Sequence, residues 1–211
     1  MTDAQRKAVH ELLPRYGIFV STSPDEKVDA LHVFGRKAPL MLEVGFGNGE
    51  ALIEMARSNP EHDFIGIEVH KPGIGHLLLR IRDEGLDNIR VIHGDAVQIL
   101  SNFFQDQLFD RICLFFPDPW PKKRHHKRRI FTPHFAGLAV SKLKIGGVLH
   151  FATDWQDYAG QVLALLESEP ALENTAESGF SENRAGRPMT KFEQRGRKLG
   201  HGVWDIVMRK R

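Results

Sequence analysis

The segment PLMLEVGFGNGEALIEMARSNP, residues 39–60, decides the fold class. Its first part, Leu40–Val44, is apolar and predicts a buried strand, and residues 50–58 have the apolar spacing of a helix. The turn between them contains Gly45, Gly47 and Gly49. Because glycine lets a backbone approach a ligand closely, this strand, turn and helix predict the first unit of a sheet that binds a nucleotide-like ligand.

The alternation of strands and helices continues downstream. Further strands are predicted at 63–68, 88–95, 109–116 and 147–154, and helices at 72–84, at 96–104, from Thr132 to Gly146-Gly147, and at 158–168. This order predicts an α/β fold with a mostly parallel, Rossmann-like sheet that has helices on both faces. Residues 191–199 and 203–208 predict an antiparallel hairpin that brings the sheet to seven strands, and residues 170–189 predict a mobile connection.

The 211 residues fit a single domain with three parts. Residues 1–37 contain a helix over 3–13, capped by Thr2 and ended by Pro14, and then an approach segment without a clear period. Residues 38–169 are the expected ligand-binding core. Residues 170–211 are expected to complete the substrate side of the site.

The charge of the chain is unevenly distributed. The formal net charge is +2, but residues 122–129 carry +6 and residues 184–211 carry +7, which leaves −11 for the rest. Such polarity is typical of a protein that binds a polyanion with one face, although a basic terminus alone is often only solvated.

The sequence also indicates the compartment. Cys113 is the only cysteine, so no disulfide forms within the chain and a reducing compartment is expected. No apolar window is long enough to span a membrane, and the N-terminus lacks a signal pattern. We therefore expect a cytoplasmic protein without a membrane partner.

Acidic residues mark the ends of the predicted strands. One carboxylate lies at or just beyond the end of each of strands 1 to 5: Glu43, Glu68, Asp95, Asp118 and Asp154. Because parallel strands end at one edge of a sheet, these side chains should share the rim where such sheets bind ligands. Each acid taken alone is also explained as a solvated loop residue or a helix cap.

The glycine-rich turn favours S-adenosylmethionine over a dinucleotide. A dinucleotide site has the spacing G-x-G-x-x-G, but the position for its third glycine is Glu50, whose carboxylate would repel a pyrophosphate. S-adenosylmethionine carries a sulfonium and an ammonium and no phosphate. On this interpretation Glu68 binds the ribose hydroxyls, Asp95 lies near the adenine amino group, and Glu43 lies near the methionine end. The predicted cofactor-binding residues are Glu43, Gly45, Gly47, Asn48, Gly49, Glu68, Asp95 and Ala96.

A second informative segment is LFFPDPWPKKRHHKRR, residues 114–129. Its three prolines are expected to hold Asp118 and Trp120 in extended geometry within a stiff turn. The cations that follow would repel one another unless a polyanion neutralised them, so the segment indicates a nucleic-acid surface. A solvated, disordered basic loop is the alternative. The adjacent His125 and His126 point apart and lack a Cys or carboxylate cluster, so no metal is expected.

Together these motifs resemble a known family. The runs LEVGFGNGE, IGIE, GD at 94–95, FFPDPWPKKRHHKRR, ATD at 152–154 and TKFEQRG at 190–196 are similar to the bacterial tRNA (guanine-N7-)-methyltransferases. The resemblance extends from about Leu12 to the C-terminus. It implies a class I S-adenosylmethionine-dependent methyltransferase fold, with S-adenosylhomocysteine as product and N7 of a guanine in the tRNA variable loop as acceptor. Family members often begin with a longer basic N-terminal arm, which this chain nearly lacks.

The resemblance also assigns site residues. Asp118 is implied as the catalytic residue, expected to hold the guanine through its Watson–Crick N–H groups or to stabilise the positive charge that develops on the ring. Trp120 either stacks on the base or packs the turn. The implied RNA-binding and substrate-binding residues are Lys122, Arg124, His125, His126, Lys127, Arg128, Arg129, Asp154, Thr190, Lys191, Phe192 and Glu193. The sequence leaves open a monomer or a homodimer.

Three other functions are weighed against this one. A methyltransferase acting on an exocyclic amine of a nucleic acid would carry an acid or amide followed by two prolines and an aromatic, whereas Trp120 directly follows Asp118-Pro119 here. A non-catalytic RNA-binding module with a degenerate nucleotide fold would not bind S-adenosylmethionine. A nicotinamide oxidoreductase is disfavoured by the acid at position 50.

Overall fold

The computed structural model describes residues 1–20, 26–177, 179–190, 193–194 and 202–211. The helices are α1 (Asp3–Tyr16), α2 (Ala30–Phe34), α3 (Glu50–Ser58), α4 (Lys71–Glu84), α5 (Ala96–Phe103), α6 (Pro133–Lys142) and α7 (Gln156–Glu167), with a 3₁₀ helix at Lys123–Arg128. The strands are β1 (Leu40–Val44), β2 (Asp63–Glu68), β3 (Ile89–His93), β4 (Phe109–Phe115), β5 (Leu143–Thr153), β6 (Leu172–Asn174) and β7 (Trp204–Lys210).

Within the described residues, the strands form one sheet of seven in the order β3-β2-β1-β4-β5-β7-β6. The strands from β3 to β5 are parallel, and β7 runs antiparallel to both β5 and β6. The predicted seven-stranded, mostly parallel sheet is therefore confirmed. Chain order reverses between β1 and β4, which is where sheets of this class bind ligands.

Two apolar layers fix the helices on opposite faces of the sheet. On one face α1, α3 and α4 supply Ala8, Leu52 and Leu77 to a buried cluster. On the other face α5, α6 and α7 supply residues such as Leu100 and Phe135. Since both faces are covered, the central strands are apolar at most of their positions, as the sequence indicated.

Two predicted helix ends are wrong. Pro14 does not end α1, which continues because Tyr16 is buried and the Gly17 N–H closes the last turn on the Leu13 carbonyl at 2.7 Å. Helix α6 ends at Lys142 rather than at Gly146-Gly147, because those glycines belong to β5. There the pairing register with β4 shifts, and Gly146 has a φ of 77° that glycine tolerates.

The antiparallel edge is built differently from the predicted hairpin. Strand β7 pairs with β5 and with β6, and β6 lies within residues 170–189, which were predicted to be a mobile connection. Most of the predicted strand at 191–199 lies outside the described residues, but Glu193 and Gln194 are helical. The Gln194 N–H donates to the Thr190 carbonyl at 3.0 Å, which is a helical rather than an extended contact.

The described residues contain neither a membrane-spanning helix nor a cluster of metal ligands. No described helix has the length and apolar character needed to cross a bilayer. No group of three or more His, Cys, Asp or Glu side chains in the same residues is placed to hold a metal ion.

Candidate functional site

The five strand-end acids lie along one rim of the sheet, as predicted. Glu43 is within β1 and Glu68 is the last residue of β2, while Asp95, Asp118 and Asp154 follow β3, β4 and β5. The strands that carry them are parallel neighbours, so all five carboxylates are near the same edge. They do not all line one cavity, however, and their environments differ.

A cavity of about 480 Å³ opens where the strand order reverses. Its lining comprises Glu43, Gly45, Phe46, Gly47, Asn48, Glu50, Ala51, Phe115, Phe116 and Thr190. The volume is in the range of small-molecule and cofactor sites. The cavity therefore brings together the glycine-rich turn, the end of β4 that leads to Asp118, and Thr190 from the C-terminal part of the chain.

The glycine-rich turn is held in shape by Glu68. The Gly47 N–H donates to Glu68 Oε2 at 2.9 Å, and the N–H groups of Val69 and His70 donate to Oε1 at 2.8 and 2.9 Å. The turn needs glycine, since positions 45, 47 and 49 have φ values of 68°, 56° and 76°. An ionised carboxylate accepts about four hydrogen bonds, so Glu68 keeps room for about one more donor.

Glu43 is buried in the wall of the cavity. Glu43 is 3% exposed, and its Oε2 has no hydrogen-bond partner among the described residues. Burial, assisted by the nearby charge of Glu68, raises the pKa of the Glu43 carboxyl to about 8. An unpaired buried carboxyl is costly, and a cationic ligand in the cavity would offset that cost.

This environment predicts that Glu43→Gln stabilises the ligand-free protein at high pH. The folded-state pKa of Glu43 lies above its ordinary value of 4.5, so the stability of the neutral form is lost as the pH rises from 4.5 towards 8. At pH 9 the free energy of unfolding of the variant should exceed that of the wild type by a few kcal/mol, on the order expected for such a pKa shift. Near pH 4 this difference should vanish. Thermal unfolding at both pH values measures the difference. The control is Glu167→Gln, a substitution at an exposed glutamate. If the stability of Glu43→Gln and of the wild type depended on pH in the same way, the raised pKa of Glu43 would be contradicted.

The residues predicted to lie near the adenine are outside the lining of the cavity. Asp95 is exposed and caps α5, because its side chain accepts from the Gln98 N–H at 2.9 Å. The alternative role as a helix cap is thus confirmed for Asp95, and neither it nor the buried Ala96 lines the cavity. Gly49 lies behind the turn, where a Cβ would meet the Leu77 side chain at 2.6 Å.

The turn that carries Asp118 is strained. Phe116 and Trp120 have φ values of 50° and 44°, so the predicted extended geometry of Trp120 is wrong. Such left-handed non-glycine residues persist only where the surroundings fix them. Here the Phe116 N–H donates to the Ala152 carbonyl at 2.7 Å, and the Pro119 carbonyl accepts from Arg129 Nε at 2.8 Å. Asp118 is exposed at the tip, and no described residue donates a hydrogen bond to its carboxylate.

The basic segment forms a short 3₁₀ helix with most of its cations in solvent. The exposed cations are Lys122, Lys123, Arg124, Lys127 and Arg128, and His125 and His126 are half-buried. Trp120 packs against this helix, with the Arg128 guanidinium 4.8 Å from the centre of its ring and the His125 ring at 6.0 Å. These contacts favour the packing role of Trp120 over stacking on a base.

Arg129 is an exception to the predicted RNA surface. It is 2% exposed, donates to the Pro119 carbonyl and to Asp157 Oδ2 at 2.8 Å, and lies over the Tyr158 ring. A buried guanidinium with these partners is not available for a phosphate. Arg129 instead anchors the turn of Asp118 to α7.

The predicted substrate-binding residues of the C-terminal part divide into three groups. Thr190 lines the cavity, and Lys191 and Phe192 lie outside the described residues. Glu193 is 1% exposed and paired with Arg184 and Arg187, so a direct contact of its carboxylate with substrate is contradicted.

Asp154 lies beside a separate cavity. The N-cap of α7 is Trp155, so the alternative of Asp154 as a helix cap is wrong. Asp154 lines a cavity of about 510 Å³ together with Pro119, Trp155, Gln156, Asp157, Gly202 and Trp204. Pro119, which follows Asp118 in the turn, also lines this cavity, so Asp154 lies near the turn that carries Asp118.

Several residues that line or support the site were not predicted from the sequence. Phe115 and Phe116 were assigned only to a strand, although both line the cavity. Gly73 packs its helix against the glycine-rich turn, and the unusual pair of glycines at 73 and 75 within a helix was a usable signal of close approach. The pairing of Arg187 with Asp205 and Glu193 had no sequence signal, because it depends on the tertiary fold.

The chain matches known proteins over nearly its full length. Residues 37–206 match a family model described as "Putative methyltransferase". The chain is 53% identical over 206 residues to the tRNA (guanine-N(7)-)-methyltransferase of Nitrosococcus oceani, covering 98% of this chain and 85% of that protein. It is 54% identical over 211 residues to the enzyme of the same name from Methylococcus capsulatus, covering 100% and 90% of the two chains.

Solved structures show the same fold at low identity. The 16S rRNA methyltransferase KamB has a TM-score of 0.63 at 14% identity, with 88% of this chain and 95% of that chain covered. TrmN from Thermus thermophilus has a TM-score of 0.58 at 18% identity, with 86% and 47% covered. The sheet order, the cavity at the glycine-rich turn and the close sequence relatives agree: the chain belongs to the tRNA (guanine-N(7)-)-methyltransferase family.

Proposed function

We propose that this protein transfers the methyl group of S-adenosylmethionine to N7 of a guanine in the variable loop of tRNA, in the cytoplasm and without a metal. The single observation that carries the proposal is a juxtaposition. The cofactor-sized cavity is lined by Phe116, and two residues further along the chain the exposed Asp118 precedes a helix of exposed cations. A small-molecule donor, an acceptor base and a phosphate chain thus each have a neighbouring surface.

The cavity residues fit S-adenosylmethionine, which supplies an electrophilic methyl group on a sulfonium when bound. Glu43 presents a buried oxygen without a partner towards a cavity where an ammonium would pair with it. Glu68, which already shapes the turn, would accept a ribose hydroxyl with its remaining capacity. Gly45, Gly47 and Asn48 give the backbone a close approach, and Asp95 at the rim would face the adenine amino group.

Asp118 acts on the acceptor base. Guanine N7 carries an in-plane lone pair and no proton, so the reaction needs alignment rather than a general base. Methylation makes the ring cationic, and a fixed carboxylate nearby stabilises that charge as it develops. The strained, proline-rich turn fixes Asp118 before the base arrives, so little reorganisation is needed during the reaction.

The exposed cations of the 3₁₀ helix bind the tRNA backbone. Lys122, Arg124, Lys127 and Arg128 project into solvent on the element that follows Asp118. Phosphate contacts position a nucleic acid without reading its sequence, so this surface sets the register in which one guanine reaches the turn. Thr190, which lines the cavity with Phe116, and Asp154, which lines the second cavity with Pro119, complete the base-binding side.

Chemical cleavage tests the atom and the position together. The protein is incubated with radiolabelled S-adenosylmethionine and unmodified tRNA, and the tRNA is then treated with borohydride and aniline. Because N7-methylation makes the guanosine ring labile, we expect label in the tRNA and strand scission at one guanine of the variable loop.

A matched substrate sharpens this test. A tRNA with 7-deazaguanosine at the same position lacks the acceptor nitrogen and should take up no label. Label without scission would move the reaction to another atom, such as an exocyclic amine. The absence of both label and cofactor binding in calorimetry would indicate a non-catalytic RNA-binding module.

A further inference from the structure

A network of buried and half-buried polar side chains, most of them charged, lies next to the proposed site. It joins six side chains: Arg111, His150, Arg184, Arg187, Glu193 and Asp205. None of these has a part in the mechanism above. Burying charges is costly unless every charge is paired, so a network of this size needs an explanation beyond the stability of the sheet.

Arg187 is at the centre of the network. Its side chain is 0% exposed, and Nε and Nη2 donate to the two oxygens of Asp205, both at 2.9 Å. Its third nitrogen, Nη1, donates to Glu193 Oε2 at 2.6 Å. All three nitrogens of the guanidinium are therefore occupied, with a bidentate pair to one acid and a short contact to the other.

The two acids belong to different parts of the molecule. Asp205 is on β7, within the sheet, and its pKa is lowered to about 2 by hydrogen bonds from Arg187 and His150 that outweigh its burial. Glu193 is just beyond Thr190, which lines the cofactor cavity. Arg187 therefore fastens the segment that carries Thr190 to the sheet.

Arg187 also contacts the turn of Asp118. Its guanidinium carbon lies 5.0 Å from the ring centre of Phe116 and 5.7 Å from that of Phe115. Phe116 has a φ of 50° and lines the cavity two residues before Asp118. A cation over an aromatic ring is attractive when both are desolvated, so this contact helps to hold the strained residue.

The remaining members orient Asp205. His150 Nε2 lies 2.7 Å from Asp205 Oδ1, and Arg111 Nη2 donates to His150 Nδ1 at 3.0 Å. Because Nδ1 accepts, the neutral His150 carries its proton on Nε2 and donates it to Asp205. Burial lowers the pKa of His150, which keeps the ring in this neutral form. Asp205 is thus held between two donors and aimed at Arg187.

We propose that Arg187 is a positioning residue for the methyl transfer, a clasp that holds the Thr190 segment and the Phe116–Asp118 turn in register against the sheet. This inference rests on the function proposed above. The clasp touches neither the cofactor nor the base. It acts by fixing two of the surfaces between which the base must lie, where a displacement of about 1 Å can cost about 100-fold in rate.

The test compares variants of the full chain by their kinetics. For Arg187→Met we expect kcat/KM for tRNA to fall about 100-fold in the fraction of protein that binds S-adenosylmethionine. Arg187→Lys keeps the positive charge but loses the guanidinium that pairs with both oxygens of Asp205, so its activity should lie between that of Arg187→Met and wild type. Glu193→Gln leaves Arg187 paired with Asp205 on the sheet, so it should fold even if Arg187→Met does not, and it should raise KM for tRNA. Calorimetry with S-adenosylmethionine gives the competent fraction.

Lys142→Met is the matched control. Lys142, the last residue of α6, is buried and paired with Asp106 at 2.7 Å, and because β5 begins at the next residue it lies at the amino end of that strand, away from the rim of acids. Lys142→Met should lower the melting temperature without changing kcat or KM in the fraction of protein that binds S-adenosylmethionine. A lower melting temperature with unchanged kinetics in both Arg187→Met and Glu193→Gln would overturn the clasp and leave Arg187 a structural residue.

Hydrogen exchange separates failure of the clasp from failure of the proposed function. Amides of residues 181–190 should be protected in wild type and in Lys142→Met, and should exchange faster in Arg187→Met. If wild-type protein methylates no tRNA, the proposed function fails, and exchange still decides whether Arg187 fastens this segment. Unchanged exchange at 181–190 in Arg187→Met would overturn the clasp whatever the activity.

Discussion

Asp118→Ala is expected to lower kcat by about 100-fold to 1,000-fold while leaving the affinity for S-adenosylmethionine nearly unchanged. Asp118 is exposed and does not line the cofactor cavity, so its removal takes away neither cofactor contacts nor core packing. What it removes is a fixed negative charge beside a base that becomes cationic. Single-turnover methylation of tRNA and calorimetric titration with the cofactor measure the two quantities separately.

Asp118→Asn distinguishes between the two roles considered for this carboxylate. If Asp118 mainly stabilises developing charge, the neutral amide should be nearly as slow as alanine. If it mainly holds the Watson–Crick N–H groups of guanine, the amide oxygen still accepts a hydrogen bond and part of the activity should return. Asp83→Ala, at another exposed aspartate, is the control and should behave as wild type. Near-normal turnover of Asp118→Ala would remove this residue from the mechanism.

The parallel strands of the sheet and helix α3 were predictable because the sequence patterns that indicate them are local. Strand β1 and helix α3 have the bounds expected from the apolar run and the helical spacing. The glycine-rich turn between them requires three left-handed residues, and glycine at those positions is the sequence signature of that requirement. The rim of acids followed from the parallel order alone, since parallel strands end at one edge.

The features that the sequence did not predict depend on distant partners. The length of β5 depends on a shift in its pairing with β4, and β6 is a strand only because β7 lies beside it. Neither partner is adjacent in sequence, so no local pattern reports the pairing.

Individual charges were misjudged for the same reason. Arg129 stands in a run of exposed cations, yet it is buried against Asp157 and Tyr158 of α7. The resemblance assigned Glu193 to the substrate-binding residues, yet it is buried in a pair with Arg187. A residue type shows which partner it can take, and only the fold shows whether that partner is RNA or another part of the chain.

Gly73→Ala should weaken S-adenosylmethionine binding strongly although Gly73 does not itself line the cavity. Gly73 is in the first turn of α4, and a Cβ there would lie 2.1 Å from the carbonyl oxygen of Gly47. That oxygen belongs to the backbone of the glycine-rich turn, so relief of the clash must displace either the turn or the helix. The hydrogen bond from the Gly47 N–H to Glu68 would be displaced with it. We expect at least about a tenfold loss of cofactor affinity and a destabilisation of about 1–3 kcal/mol.

Gly137→Ala provides the matched comparison. It makes the same substitution inside a helix, but it is expected to raise the stability of the protein rather than lower it. Gly137 is an exposed residue of α6, and a Cβ at this position would meet no atom within 4 Å. There alanine only reduces the freedom of the unfolded chain, so the variant should gain about 0.4–1 kcal/mol and bind the cofactor as wild type does. Thermal unfolding and calorimetry of the two variants test the pair. Equal stability and equal cofactor affinity of the two variants would mean that α4 does not brace the turn.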